Sequence, residues 1–108
     1  MKIIYNKIFP IGKRYFAINL FGFLFAKGPC NNIIINHEKI HTRQMQEMGF
    51  LVFYIIYIFE WLWKLILYRN SYKAYENISF EREAYHNQNN LNYLSNRKFY
   101  SWRKYLRK

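Results

Sequence analysis

Residues 37–68 read HEKIHTRQMQEMGFLVFYIIYIFEWLWKLILY, and the fold turns on whether this stretch is one helix or two. Neither half alternates apolar with polar residues, so both read as helical. Glu60 and Lys64 are the only charges in the second half. They stand four apart with the acid first, the favourable helical order. Tyr57, Glu60, Lys64 and Tyr68 recur at spacings of three and four, a narrow polar stripe on an otherwise apolar helix. Gly49 separates the halves and is a natural residue for a helix C-terminus.

On a helix, His37 and His41 lie one turn apart on the same face, so their imidazoles can grip a single ion. Glu38 then sits beside that ion without binding it and can take a proton from water. This is the chemistry of H-E-x-x-H. The alternative is a pair of solvated side chains on a helix surface. A third ligand is needed. Glu47 follows His41 by six residues, but Gln44 occupies the position where a glycine would turn the chain. On a continuous helix Glu47 lies well off the His face, and it reads as a solvated residue. Glu81, in Phe80-Glu81-Arg82-Glu83-Ala84-Tyr85, is the better candidate. A carboxylate early in a second helix completes a His, His, Glu site with room for water. Ala84 is small enough to let the two helices close. Glu83 points elsewhere and reads as solvated.

HEKIH followed by FEREA resembles the gluzincin metallopeptidases. It is especially similar to the membrane-bound group of prenyl-protein proteases and their bacterial heat-shock relatives, and to short bacterial proteins with the same two motifs. In that group H-E-x-x-H is followed, on a later helix, by Glu-x-x-Ala-Asp. The resemblance covers the two motifs, roughly a tenth of the chain. It implies a minimal zincin-like domain, zinc held by His37, His41 and Glu81, Glu38 as general base, and a peptide or protein substrate. Tyr85 stands where the group has Asp, so the support that Asp lends a ligand from behind is put in doubt. His86, the remaining histidine, is a candidate to stabilise an oxyanion or an ordinary exposed side chain.

The metal reading constrains the fold. The 27 residue steps from His41 to Tyr68 would rise about 40 Å as one straight helix. The 13 residues from Tyr68 to Glu81 reach back about 45 Å only if fully extended. The helix must therefore break, with Gly49 the place, and residues 50–68 must run back.

Around this centre, YFAINLFGFLFA at 15–26 predicts two short strands or one bulged strand. Either Tyr15 to Leu20 or Phe23 to Ala26 would offer a substrate an edge. Residues 1–14 are mixed, with Pro10 and Gly12 as breakers. Asn31 or Asn32 caps the histidine helix, with Asn36 a later choice. Asn70-Ser71 ends the apolar helix. Ser79 is the candidate N-cap of a helix running through Leu94, and residues 97–108 predict a last short helix. The expected fold is mainly α with a small N-terminal β element, an α+β domain spanning residues 1–108.

The 108 residues carry 17 Lys+Arg against 6 Asp+Glu, a net charge of +11, and are 52% hydrophobic. That excludes a disordered chain. The basic balance suits an anionic membrane surface or a nucleic acid, or reflects AT-rich coding; no nucleic-acid motif is present. Cys30 is the single cysteine, so no internal disulfide forms and a reducing compartment is the default. Lys13-Arg14 before the apolar run 15–26 mimics an export signal. Asn19, Gly22 and the ending Lys27-Gly28-Pro29 argue against one. A cytoplasmic or peripherally membrane-associated protein is expected. Residues 50–68 are long enough to span a bilayer. Spanning would separate His37 from Glu81, and Glu60 and Lys64 would be costly in lipid. The expectation is instead a helix with one face in the core and the other on a membrane surface or in a homo-oligomer. The tail residues Phe99, Trp102 and Tyr105 or Leu106, flanked by Arg97, Lys98, Arg103, Lys104, Arg107 and Lys108, suit a membrane interface or the core. Two functions follow: a zinc metallopeptidase, or a non-catalytic basic membrane or interaction protein with a structural metal or none.

Overall fold

The computed structural model describes residues 3–6 and 17–106. Pro10, Gly12, Tyr15, Arg107 and Lys108 lie outside them. The chain is mainly helical with a small N-terminal sheet, as expected. Strand β1 (Ile3–Tyr5) pairs in parallel with β3 (Phe23–Ala26), and β2 (Ala17–Leu20) pairs antiparallel with β3. Of the two readings of residues 15–26, two strands is therefore the right one. β1 falls in a segment read as mixed; three residues are too few to show a period, and pairing with β3 makes them a strand. The order β1-β3-β2 leaves β3 flanked on both sides. Phe23 to Ala26 thus offers no edge, which corrects one of the two expected docking strands.

Phe21 and Gly22 close the β2–β3 hairpin, both at positive φ (54° and 89°). A two-residue turn of this hand matches the twist of paired strands. Gly22 adopts it freely. Phe21 is held there by Tyr54, whose hydroxyl receives the Phe21 N–H at 3.0 Å and whose ring packs against it.

Helix α1 (Asn32–Met48) is capped by Asn31, whose side chain accepts the Ile34 N–H at 2.8 Å. It stops at Gly49, at φ 83° and ψ 144°, a conformation that costs glycine little. Helix α2 (Phe50–Tyr68) begins at the next residue. Phe53, four residues past the break, packs its ring 6.4 Å from that of His41, eight residues before it. The chain has turned back, as the ligand geometry required.

The polar stripe of α2 faces inward. Glu60 is 7% exposed and Lys64 1%, whereas Leu51 is 72% and Ile66 76% exposed. The reason lies in α4 (Ser79–Asn87). Glu60 accepts the Ser79 N–H at 2.9 Å and the Ser79 hydroxyl at 2.6 Å. The expected N-cap, Ser79, is instead the first helical residue, and Glu60 caps the helix from across the fold. A short α3 (Ser71–Glu76), capped by Asn70, joins α2 to α4 where the sequence showed only an end. Helix α4 stops at Asn87 rather than at Leu94. The Asn36 side-chain amide takes the carbonyls of Gln88 and Asn90 at 2.8 and 3.0 Å, and the asparagine run after Asn87 propagates a helix poorly.

After α4 the described residues form α5 (Tyr93–Asn96) and a 3-10 turn at Ser101–Tyr105. Trp102 is core, its ring tilted against that of Phe80, which contacts Phe53, while Phe99 is exposed. Glu47 and Glu83 are not solvated. Both side chains are fully buried on Arg97, which gives two hydrogen bonds to each. The tail places Arg97 between them, which no local spacing reveals.

Replacing Glu60 by Ala leaves the Ser79 N–H buried without a partner. Urea unfolding should show a loss of about 1.5–3 kcal/mol, the usual worth of hydrogen bonds to a charged group. An unchanged midpoint would mean that Glu60 does not cap α4.

Candidate metal centre

Helix α1 presents His37 and His41 with their Nε2 atoms 3.2 Å apart. Helix α4 brings Glu81 Oε1 to 3.2 Å from the first and 3.0 Å from the second. All three residues are buried, and their ligand atoms lie within 4.8 Å of one another. Ala84, one turn beyond Glu81, is fully buried, and its small side chain lets α4 sit close.

Each ligand is held from behind. His41 Nδ1 lies 2.8 Å from Gln44 Oε1. The Gln44 amide nitrogen is already committed to Phe80 O and Glu83 Oε1. The group facing His41 is therefore the amide oxygen, and Nδ1 must carry the proton. His37 Nδ1 lies 2.8 Å from Gln88 Oε1, and a proton on Nδ1 donates to that oxygen and leaves Nε2 free to face the cluster. Glu81 Oε2 accepts the Tyr57 hydroxyl at 2.7 Å. With both Nδ1 atoms protonated, two bare Nε2 lone pairs and a carboxylate oxygen converge on one buried point. Lone pairs repel unless a cation lies between them, so the donor set fits a metal ion.

In the metal-free protein the same place favours a proton. Burial lowers the His41 pKa, but the charge and hydrogen bond of Glu81 more than reverse this and push it up to about 9. Burial likewise raises Glu81, and the two imidazoles then hold it far below the usual carboxylate range. Glu38, also buried, has Oε2 4.0 Å from His37 Nε2. Burial pushes its carboxyl up, and the imidazoles oppose the shift.

Glu38, His41 and Glu81 open into a cleft of about 590 Å³ whose far wall is β2. Asn19 pins that strand to α1, donating to Glu38 O at 2.8 Å and to Thr42 Oγ1 at 2.7 Å. The outer edge of β2 pairs with no other strand among the described residues. Tyr85 packs its ring edge-on to His37 at 4.5 Å, and its hydroxyl meets that of Tyr75. It thus supports a ligand by contact, without the carboxylate of the resembled group. His86 is not brought to the cluster: it is exposed, beside Tyr105.

The supports Gln44, Gln88 and Tyr57 were not singled out as such from sequence. A signal existed for two of them. Gln44 lies three residues beyond His41 on the face of the residue it supports, and Gln88, which supports His37, lies two turns beyond Glu81 at the end of α4. No family model matches the chain, and no curated protein or solved structure matches it.

Replacing Gln88 by Ala should weaken zinc binding about 10–100-fold, the usual cost of losing such support, with one ion still bound per chain. Equal affinity in calorimetry would show that Gln88 orients nothing. A metal ion must also displace the His41 proton, held below about pH 9. Zinc affinity should therefore fall as pH falls below that point, by about tenfold per unit for one proton. A flat profile between neutrality and that pH would contradict the assignment.

Proposed function

We propose that the protein is a zinc metallopeptidase in which His37, His41 and Glu81 hold the ion and Glu38 is the general base. The observation that carries this reading is the buried convergence of two imidazole nitrogens and one carboxylate oxygen on a cleft that Glu38 also lines. Two imidazoles and a carboxylate suit zinc, and three protein ligands leave a position for water. Bound zinc supplies a Lewis acid that polarises the scissile carbonyl and makes water easier to deprotonate.

The chain's own groups do the rest. An extended peptide lies along the outer edge of β2, whose residues form one wall of the cleft, and adds to it as a strand. Glu38 accepts the proton of the water that attacks the carbonyl carbon. It then delivers that proton to the amine nitrogen as the C–N bond breaks. Its carboxyl is buried and lines the same cleft as His41 and Glu81, which keeps it close to that water. Gln44, Gln88 and Tyr57 keep the ligands in place while the proton moves.

Glu38→Gln keeps the shape of the side chain and removes the base. Zinc should copurify in near-stoichiometric amount, while hydrolysis of a peptide library falls by about two to four powers of ten. His41→Ala should lose both metal and activity. Full activity in Glu38→Gln would move the base elsewhere. A zinc ion with all four positions filled by protein atoms would make the metal structural.

A further inference from the structure

The outward face of α2 is the largest feature that the metal centre does not use. Leu51, Ile55, Ile58, Phe59, Leu62 and Ile66 are all exposed and recur at spacings of three and four. They form one apolar stripe that rises about 23 Å along the helix. Phe21, exposed at the hairpin tip, extends it by packing on Phe50 and Tyr54. A stripe of this size is not left to water without a partner. The helix has the length and composition of a membrane span. Its inner face, however, carries Glu60 and Lys64, packs on α1 and α3, and reaches α4 through Glu60–Ser79 and Phe53–Phe80, so it cannot be surrounded by lipid.

Charge identifies the occupant. The chain has six acidic residues, all glutamate. Five bury their side chains: Glu38 and Glu81 at the metal centre, Glu60 on Ser79, and Glu47 and Glu83 on Arg97. Glu76 alone is exposed. Folding thus hides the acids and leaves the surface almost wholly cationic. Exposed Arg69 and Lys73 stand at the C-terminal end of α2, with Lys73 over the Tyr68 ring.

We propose that α2 lies in the plane of an anionic lipid bilayer, its outer stripe among the acyl chains and Arg69 and Lys73 among the headgroups. Each exposed apolar side chain contributes by leaving water, and the cations contribute through the negative surface potential. Ile58 belongs both to this face and to the cleft wall. On the reading of the site as a peptidase, on which this clause rests, the cleft mouth lies beside the headgroups and the substrate is a peptide segment held there.

Vesicle sedimentation tests the docking without reference to metal or turnover. The full chain should bind vesicles of phosphatidylcholine with phosphatidylglycerol far more tightly than phosphatidylcholine alone, and less as salt rises. Alkaline carbonate should release it. Leu62→Ser/Ile66→Ser removes two exposed side chains and so leaves the core intact. It should bind more than tenfold more weakly, with unchanged helicity and zinc content. Equal binding by this variant, or equal binding to both vesicles, would overturn the proposal. Resistance to carbonate would mean a spanning helix. A lipid-free dimer abolished by the same variant would mean that a second copy covers the face.

Discussion

Two imidazole nitrogens and a carboxylate oxygen cannot share a buried point without a proton or a cation among them, and α1, α2 and α4 all meet around that point. His37 and His41 come to the point together because they share a face of α1. Glu81 arrives from a helix forty residues later, and that helix is held at both ends by side chains from elsewhere. Glu60 of α2 takes its first N–H, and Asn36 of α1 takes carbonyls beyond its last turn. The two clamps use backbone groups that a helix leaves unpaired at its ends. Fixing both ends sets the height at which Glu81 meets the histidines. Tyr57, three residues before Glu60 on the same helix, sets the carboxylate's orientation.

The same economy explains α2. A helix this apolar would ordinarily bury its hydrophobic face. Here Tyr57, Glu60 and Lys64 take inner positions beside Phe53, and many of the other apolar side chains are turned out. The inversion is tolerable because the buried polar groups are satisfied: both oxygens of Glu60 accept hydrogen bonds. Burying a charge costs desolvation, and hydrogen bonds to both oxygens offset that cost.

Beyond Gln44, the polar contacts continue to the tail. Gln44 donates to Glu83; Glu83 accepts from Arg97 and Tyr93; Arg97 reaches Glu47 and so returns to α1. Arg97 neutralises part of the charge of two carboxylates in a fork geometry that lysine lacks. The Tyr93 hydroxyl and the Gln44 amide supply further donors. The support behind His41 is thereby tied to the C-terminal segment, which also contributes Trp102 to the core beside Phe80. One residue in this chain of contacts, Gln44, touches both the ligand and the network, so the orientation of an imidazole depends on the docking of the tail.

What the sequence by itself determined is local or follows from chain length. The His37, His41 pair lies on one face because helical geometry allows nothing else at that spacing. The break at Gly49 follows from the reach of 13 residues to Glu81, once Glu81 is taken as the ligand. The helical class and a β element about Gly22 were legible from composition, but the choice between two strands and one bulged strand came only from the pairing of β2 with β3. Tertiary structure decided whatever rests on contacts between distant residues. Glu47 and Glu83 read as solvated because nothing near them in sequence announces Arg97. The stripe of Glu60 and Lys64 was visible, but whether it faces water or the core depends on Ser79, which only the fold brings beneath it. β1 is too short to declare itself and exists through its pairing with β3. The surface charge is the clearest case: composition fixes an excess of cations, but the burial of five carboxylates makes that excess nearly unopposed. Periodicity shows which residues share a face, and only packing shows which way the face is turned.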